Sequence, residues 1–455
     1  MSLGISKRLC SLLFLSTFIL NFSVVSTKDW ISRRDTFANR LQWRLQALLE
    51  DKAQYYNVSF SAAIRTNNRT VLAAAGVNDQ ATGERVSIHS LFPSGSITKC
   101  FTAVGILQLV EEGAFGLDDA LAPLVDKALL ALHNTTVGAL WNNDPRVQQI
   151  TVRHVLGMQS GLQDYDDPWV FNFTLNHPTT DLTPIMYLKS ANKTFKCDPG
   201  HCGSYSSLGY ELLGYALVQA HLPHLTGASS WKQYDQLSAI PEPLRSEMKH
   251  ILFPVQGLCA AYIKQGLVHQ YSSRDYKNFF DLMNTSCLNG WTFGNIAAAP
   301  SDTSNFFLHL FGSERVIVKN RTLVEEMSHF LELQTGWGIG LPYGLGLEHI
   351  FYPVYRNTST NISIFGHGGI DYGSMAEAGY LVDYDFAFGF ATNSISGMSN
   401  ALSKKQNGHF WFDIKCNALQ IALEEIGKGE WPVLDCSLNS LEMVPRPPKD
   451  MITML

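Results

Sequence analysis

The stretch F-P-S-G-S-I-T-K-C-F-T-A-V, from Phe92 to Val104, starts like a loop and ends like a buried helix. It places a serine, Ser96, three residues before a lysine, Lys99, where the helix begins. Side chains three residues apart share a face of a helix, so the hydroxyl and the amine would lie side by side. Apolar neighbours would bury this face, and burial lowers the pKa of a lysine and lets it act as a base. The competing interpretation is a helix-capping serine followed by a lysine whose amine reaches solvent.

Two later motifs add a tyrosine and a histidine, whose side chains can also donate or accept protons. The stretch G-S-Y-S-S-L-G-Y, residues 203–210, offers Tyr205 in a loop that enters a helix. The stretch F-G-H-G-G-I-D-Y-G, residues 365–373, ends a strand with His367 and two glycines. A serine and lysine at this spacing arise often by chance, whereas the three motifs in this order form a specific signal.

The arrangement of helix and strand patterns predicts one sheet built from both ends of the chain. Residues 36–54 have the apolar spacing of a helix, and two strand patterns follow around the polar turn N-N-R. From about residue 120 to 289 the patterns are mostly helical. Strand patterns return near Tyr343, and a helix pattern ends the ordered part of the chain. We therefore expect an α+β fold with a mainly helical lobe, about 120–290, inserted into it.

With these motifs in place, the chain resembles the serine β-lactamase-like superfamily. The branch it resembles contains class C β-lactamases, D-alanyl-D-alanine carboxypeptidases and related esterases. The resemblance runs from about residue 40 to 397 and includes F-T-A-V-G-I-L-Q-L-V-E-E-G-A-F-G-L-D-D, I-T-V-R-H-V-L-G-M-Q-S-G-L and A-T-N-S. It implies a β-lactamase/transpeptidase-like fold, with an antiparallel sheet flanked by helices.

The resemblance also implies a role for each motif residue. Ser96 would be the nucleophile that becomes acylated, and Lys99 would take up or relay its proton. Tyr205 would complete the base system, with Lys99 helping to hold it toward the phenolate. Backbone N–H groups of Ser96 and Ile370 would form the oxyanion hole. The pocket wall implied by the resemblance comprises His367, Gly368, Gly369, Ile370 and Ser207.

The implied mechanism is two-step acyl transfer, with neither a metal nor an organic cofactor required. Two positions depart from the family pattern and change the expected substrate. Ser207 stands where the family has an asparagine that touches substrate amides, and His367 stands where true β-lactamases have a lysine that meets the substrate carboxylate. A histidine can be neutral near pH 7. We therefore expect esterase or non-β-lactam hydrolase chemistry, with hydrolysis and acyl transfer both open.

The expected partner is a small-molecule or peptide-like acyl substrate. The alternative is a catalytically silent relative that keeps the fold as a binding or assembly module. Intact Ser96, Lys99 and Tyr205 favour the enzyme.

Two further segments carry expectations about the cleft. The acidic stretch D-Y-D-D-P-W, which starts at Asp164, is predicted to be a solvated loop, and the alternative is that it lies at the edge of the pocket. The glycine-rich stretch G-W-G-I-G-L-P-Y-G-L-G, residues 336–346, enters a strand and not a helix, so it does not predict a phosphate cradle. Its glycines are predicted to allow close backbone approach.

Composition and the first residues predict the compartment. Charged residues make up only 16% of the 455, and the net charge of −6 gives no basic surface for nucleic acid. Residues 1–26 combine two positive charges, an apolar run and small residues before a cleavage position, which is a signal peptide pattern. The alternative is an uncleaved anchor, but the apolar run is interrupted by Ser, Thr and Asn. We expect a main domain at 27–440, a loose tail at 441–455, and no stable membrane span after cleavage.

Glycosylation sequons and cysteines also predict a secreted or secretory-pathway protein. The asparagines of the sequons are Asn57, Asn68, Asn134, Asn172, Asn192, Asn284, Asn320, Asn357 and Asn361. Three disulfides are predicted, Cys197–Cys202, Cys259–Cys287 and Cys416–Cys436. Cys100 is left over and is predicted to be a buried small hydrophobe. A metal site in C-D-P-G-H-C is not favoured, because that stretch offers only three ligands.

Overall fold

The computed structural model describes residues 37–437, apart from 223, 225–226, 228–229, 274–277, 355–356, 401, 403 and 428–430. The predicted signal peptide, 1–26, and the predicted loose tail, 441–455, lie outside the described residues. They stay predictions, as do the limits 27–440 of the main domain.

Helices and strands alternate through the described part of the chain. The helices are α1 Phe37–Tyr56, α2 Thr98–Glu111, α3 Leu121–His133, α4 Val137–Leu140, α5 Val152–Leu156, α6 Asp167–Asn176, α7 Pro184–Ser190, α8 Ser207–His221, α9 Leu244–Glu247, α10 Trp291–Gly294, α11 Pro300–Phe311, α12 Arg321–Met327 and α13 Lys404–Ile426. The strands are β1 Phe60–Thr66, β2 Arg69–Ala75, β3 Val77–Asp79, β4 Glu84–Arg85, β5 Phe92–Pro93, β6 Ile251–Leu252, β7 Tyr271–Ser273, β8 Phe279–Asp281, β9 Ala297–Ala298, β10 Leu331–Glu332, β11 Pro342–Tyr343, β12 Glu348–Val354, β13 Asn357–Asp371, β14 Ser374–Leu381 and β15 Phe386–Thr392.

One eight-stranded antiparallel sheet joins both ends of the chain, as the sequence predicted. Its strand order is β10-β11-β12-β13-β14-β15-β1-β2. β1 and β2 form a hairpin, and β1 also pairs with β15, with Ala63 opposite Gly389. The long strand β13 pairs with β12 and β14 and carries the histidine–glycine motif. This pairing brings the last third of the chain next to its beginning.

Helices cover both faces of the sheet. In α1 the apolar residues Leu41, Leu45 and Leu49 recur every four positions, are at most 1% exposed, and belong to one core with α13. Trp43 lies on the opposite side of α1 and is 56% exposed. On the other face of the sheet, α11 packs on β15 at Gly389, where an added Cβ would lie 2.5 Å from the Pro300 carbonyl oxygen. The glycine therefore permits this close packing.

The helix that carries Lys99 runs through the centre of the second core. In α2, every residue from Thr98 to Leu107 is buried. Phe101 stacks on Phe306 of α11 with ring centroids 4.0 Å apart, and Gly105 faces Leu217 of α8. α2 therefore lies between the helix that covers the sheet and the helical lobe. The lobe is mainly helical as predicted, although it also contains the short strands β6, β7 and β8, which the helical patterns did not predict.

The three predicted cysteine pairs lie at disulfide distance. Cys100 is buried and its thiol contacts the Gly346 carbonyl oxygen at 3.0 Å, as expected of a small buried side chain. The sequon asparagines whose side chains are described are all exposed, and the side chain of Asn357 lies outside the described residues. Glycosylation itself stays a prediction. None of the helices between residues 37 and 437 that the structure describes combines the length and apolarity needed to cross a membrane.

Candidate active site

A tight turn presents Ser96 at the start of α2. The turn is a 3₁₀ segment, Gly95–Ile97, between β5 and α2. Gly95 has a φ of +50°, which a residue with a side chain rarely adopts. The sequence predicted that α2 begins at Ser96, whereas α2 begins two residues later, at Thr98. The hydroxyl and the amine are still brought together, because the 3₁₀ turn continues into the helix.

Ser96 Oγ lies between the other two predicted catalytic groups. The Lys99 amine donates to Ser96 Oγ at 2.8 Å, and the Tyr205 hydroxyl donates to the same oxygen at 2.9 Å. The Phe293 carbonyl accepts a second hydrogen bond from the Lys99 amine at 3.1 Å. Two side chains, one 3 residues and the other 109 residues away from Ser96 in the sequence, therefore converge on its hydroxyl oxygen.

Burial sets the protonation of this trio. Lys99 is 0% exposed, and burial lowers its pKa to about 7, although the charge of Asp164 acts in the opposite direction. Burial raises the pKa of the Tyr205 hydroxyl well above its usual range. At neutral pH, Lys99 is thus partly a free amine and Tyr205 is a phenol. This corrects the expectation that Lys99 holds Tyr205 toward the phenolate.

The end of β13 passes directly against the turn that carries Ser96. A Cβ added to Gly369 would lie 1.9 Å from the Ser94 carbonyl oxygen and 3.0 Å from the Ser96 nitrogen. A Cβ added to Gly95 would lie 2.7 Å from the Ile370 nitrogen. The two predicted oxyanion donors, the backbone N–H groups of Ser96 and Ile370, therefore sit on adjoining segments. The Ile370 side chain is 48% exposed and faces outward at this edge.

His367 lies behind the wall of the cleft and not on its surface. Its ring is 0% exposed, and Nε2 lies 3.0 Å from the Tyr343 hydroxyl. Burial lowers its pKa to about 3, and the nearby Lys99 amine acts in the same direction. The neutral state expected from the sequence fits this site, but the expectation that the side chain lines the pocket is wrong. Its neighbour Gly368 donates its N–H to Glu348 Oε2 at 2.8 Å.

Ser207 is also buried, and its partner is a residue that the sequence placed in solvent. Asp164 Oδ1 accepts from the Ser207 N–H at 2.8 Å, and Oδ2 lies 3.4 Å from Ser207 Oγ. Asp164 thus caps the first turn of α8 and lies close enough to Lys99 to oppose the lowering of its pKa. The prediction of a loop is confirmed at Asp164, but the prediction that it is solvated is wrong, because its carboxylate is half-buried and bonded to Ser207. The stretch from Asp167 onward begins α6. The two residues are 43 positions apart, so no local pattern links them.

Aromatic side chains surround the trio. Trp337, from the glycine-rich segment, meets the Tyr205 ring edge-on with centroids 4.6 Å apart. Tyr165 stacks on Phe293 at 5.5 Å, and the Lys99 amine lies 5.1 Å from the Phe293 ring centroid. These rings help exclude water from Lys99, which explains the direction of its pKa shift. No local sequence pattern marks these three aromatic residues as neighbours of Ser96.

The described residues offer no cluster of three or more His, Cys, Asp or Glu side chains arranged to hold a metal ion. His201 of C-D-P-G-H-C is followed by a cysteine that is paired with Cys197. A disulfide sulfur does not serve as a thiolate ligand.

Comparison with known proteins agrees with this geometry. A family model described as Beta-lactamase matches residues 45–407. The chain belongs to the Beta-lactamase family. This match includes all three residues of the trio and the end of β13.

Curated relatives of this Beta-lactamase family member match over shorter stretches. Penicillin-binding protein 4* of Bacillus subtilis (strain 168) is 29% identical over 163 residues, which is 34% of this chain and 32% of the relative. Penicillin-binding protein 4 of Amycolatopsis lactamdurans is 29% identical over 143 residues, 31% of this chain and 32% of the relative. The chain thus spans about a third of the length of these curated relatives.

Solved structures match over most of the chain. The D-amino acid amidase of Ochrobactrum anthropi SV3, complexed with L-phenylalanine amide, superposes with a TM-score of 0.61 at 20% identity, covering 85% of this chain and 98% of the amidase. A D-stereospecific amidohydrolase from Streptomyces sp. gives a TM-score of 0.57 at 22% identity, covering 77% and 94%. The octameric penicillin-binding protein homologue from Pyrococcus abyssi gives 0.60 at 19%, covering 84% and 77%. These likenesses establish the β-lactamase/transpeptidase-like fold.

Replacing Gly369 by alanine is expected to reduce turnover roughly tenfold to a hundredfold, because the methyl group would push the Ser96 turn away from β13. Thermal unfolding should also occur at a lower temperature. The matched comparison is Gly368→Ala, where the added Cβ meets nothing closer than Glu348 Oε2 at 3.4 Å. Turnover and melting temperature are measured for both variants. Equal values for the two would contradict the close approach at Gly369.

Proposed function

We propose that this protein is a secreted serine hydrolase that forms an acyl-enzyme on Ser96 and cleaves an ester or amide of a small acyl compound. The main support is that the Lys99 amine and the Tyr205 hydroxyl both donate hydrogen bonds to Ser96 Oγ, at 2.8 and 2.9 Å. Secretion is supported by the three disulfides and the exposed sequons, together with the predicted leader.

In the acylation step, neutral Lys99 accepts the Ser96 proton while Oγ bonds to the substrate carbonyl carbon. The oxyanion that forms accepts hydrogen bonds from the backbone N–H groups of Ser96 and Ile370. Tyr205 donates its proton to the leaving nitrogen or oxygen as the bond to that atom breaks, and then recovers a proton from Lys99 through the Ser96 site. The step leaves Lys99 neutral again and the acyl group on Oγ.

Deacylation follows the same steps in reverse, with water as the acceptor of the acyl group. Neutral Lys99 takes a proton from water as the water oxygen bonds to the acyl carbon. The C–Oγ bond then breaks, and Ser96 regains its proton. An alcohol or amine in place of water would give acyl transfer by the same path.

The site favours substrates without a carboxylate that must be bound by a positively charged side chain of the protein. His367, at the position of the family's lysine, is buried and neutral. Aromatic groups, including Trp337 and Tyr165, lie around the trio. Two structural neighbours are named as an amidase and an amidohydrolase for D-configured substrates, which supports amino acid amides as the first class to try.

The rate of acylation is expected to rise with pH through about 7 and to level off between about pH 7 and 8. The pKa of Lys99 is lowered to about 7 by burial, and the amine acts as a base only after it has lost its proton. The measurement is kcat/KM for an uncharged ester from pH 5 to 8, with circular dichroism to verify that the fold persists. A rate that falls as pH rises through this range would contradict Lys99 as the base.

A substrate screen on the secreted protein tests the proposed function. The panel holds D- and L-phenylalanine amide, short-chain p-nitrophenyl esters and a chromogenic cephalosporin. Turnover of at least one amide or ester is expected, and one equivalent of a fluorophosphonate should abolish it. Folded protein that turns over none of these and forms no adduct with the probe would favour the silent binding module instead.

A further inference from the structure

Glu211 is a buried acid that the proposed mechanism does not use. It lies on α8, just over one turn after Ser207, and is 0% exposed. Its Oε2 atom lies 3.1 Å from Thr292 Oγ1. Its Oε1 atom is buried and has no hydrogen-bond partner among the residues that the structure describes. A carboxylate in this position would be poorly solvated, whereas a neutral acid tolerates an unpartnered oxygen at lower cost.

The hydrogen bonds of Thr292 determine where the proton lies. Thr292 Oγ1 is 2.8 Å from the Tyr210 carbonyl oxygen, which can only accept, so the single hydroxyl proton points to that carbonyl. The hydrogen bond between Thr292 Oγ1 and Glu211 Oε2 then needs a proton from Glu211. Glu211 must therefore be protonated to satisfy the arrangement.

The segment that Glu211 holds is the one that binds the catalytic amine. Thr292 and Phe293 are adjacent in α10, and the Phe293 carbonyl accepts from the Lys99 amine at 3.1 Å. From the other side, Thr102 Oγ1 donates to the Thr292 carbonyl at 2.6 Å. α10 is also fitted against α8 at Gly214, where an added Cβ would lie 2.4 Å from Thr292 Oγ1. A shift of Thr292 would therefore move the carbonyl that positions Lys99.

We propose that Glu211 is a positioning residue that works as a neutral carboxylic acid: by donating its proton to Thr292, it fixes α10 and thereby sets where the Phe293 carbonyl holds Lys99. This inference rests on the proposed function in taking Lys99 as the base.

The groups facing Glu211 favour its neutral form. Lys99 of α2 is the basic group whose charge would stabilise the carboxylate, and burial lowers the pKa of that amine. Tyr187 of α7 and Tyr215 of α8 also face it, and burial raises the pKa of both phenols. Burial raises the pKa of Glu211 to about 8. Ionisation above that pH would remove the donor to Thr292 and would favour the charged form of Lys99, so turnover should fall there.

Glu211 could act as a neutral hydrogen-bond donor, as a carboxylate or only by filling space. Two substitutions of similar size, Glu211→Gln and Glu211→Leu, distinguish these three roles. Glu211→Gln retains an uncharged donor for Thr292 Oγ1. It is expected to keep kcat within about threefold at pH 7 and to lose the fall in turnover above pH 8. Glu211→Leu fills the space without a donor and is expected to lower kcat roughly tenfold to a hundredfold with little change in KM. In the pH profile of this variant, the rise in turnover that wild type shows near pH 7 should occur at a different pH.

If Glu211→Leu does not fold, Thr292→Val removes the same hydrogen bond and is expected to give the same loss of kcat. A Gln variant as impaired as the Leu variant would overturn the proposal, because it would mean that a carboxylate is needed. Leu and Val variants with wild-type kcat and pH profile would also overturn it, because the contact would then be only structural.

An infrared measurement tests the protonation of Glu211 without relying on activity. The difference spectrum of wild type minus Glu211→Gln at pH 7 should contain the C=O stretching band of a protonated carboxylic acid. A carboxylate band would refute the neutral acid even in an active enzyme. Failure of the proposed function would look different: wild-type protein would form no Ser96 adduct, whatever this band shows.

Discussion

Replacing Lys99 by methionine is expected to lower kcat/KM by a factor on the order of 10⁴, because it removes the group that accepts the Ser96 proton. Methionine has a similar length and no charge. It therefore fills the buried space between Phe293 and Tyr205 without requiring a hydrogen bond. Since burial disfavours the ammonium form of Lys99, the variant should unfold at a temperature equal to or above that of wild type. Loss of activity with retained stability would separate a chemical role from a structural one.

The control for this variant is Lys193, a lysine that is partly buried. Burial lowers the pKa of Lys193 to about 8, and its amine lies 4.9 Å from the Trp141 ring centroid and donates to the Leu188 carbonyl. Lys193→Met is expected to keep wild-type turnover, because its contacts do not include Ser96. Both variants are compared with wild type by kcat/KM on the best substrate of the screen. A Lys99→Met enzyme within tenfold of wild type would contradict the assignment of the base.

Replacing Tyr205 by phenylalanine is expected to lower kcat for an amide roughly 10²- to 10³-fold, because the proton donor to the leaving nitrogen is lost. The effect should be much smaller for a p-nitrophenyl ester, whose leaving group departs without protonation. KM should change little. The ring still packs against Trp337, so the fold should persist.

Tyr210→Phe is the matched control for Tyr205→Phe. Tyr210 is also fully buried, and the Lys99 amine lies 5.9 Å from its ring centroid, but its hydroxyl donates to the Leu156 carbonyl at 2.8 Å. Its replacement should cost about 1 kcal/mol of stability and leave the ratio of amide to ester turnover unchanged. Equal losses on amide and ester in the Tyr205 variant would mean that Tyr205 acts elsewhere in the cycle.

Local sequence patterns predicted the elements of this fold well, because its strands and helices follow simple periodicities. The leucine spacing of α1 and the hairpin around N-N-R are features of single segments, and the structure has both. The order of these patterns along the chain, with strands at both ends and helices between, also predicted that the two chain ends share one sheet, and the structure confirms it. The order of the motifs was enough to predict that Ser96, Lys99 and Tyr205 lie together.

The residues whose surroundings the sequence did not predict depend on contacts between distant segments. Asp164 lies in an acidic, polar stretch that reads as solvated, but it caps α8 through Ser207. His367 has the sequence context of a cleft residue, yet the Tyr343 hydroxyl and its neighbours enclose it. Phe293 acts on Lys99 through its backbone carbonyl, so its side-chain type carries no signal for that role. Tertiary packing decides all three cases.

The identity of the acylated residue tests the account most directly. Wild-type protein and Ser96→Ala are treated with one equivalent of a fluorophosphonate at pH 8, digested and mapped by mass spectrometry. A single adduct is expected on Ser96 in wild type, formed faster at pH 8 than at pH 6, and none on the alanine variant. An adduct on another residue, or none on protein with a normal melting transition, would contradict an activated serine in this cleft.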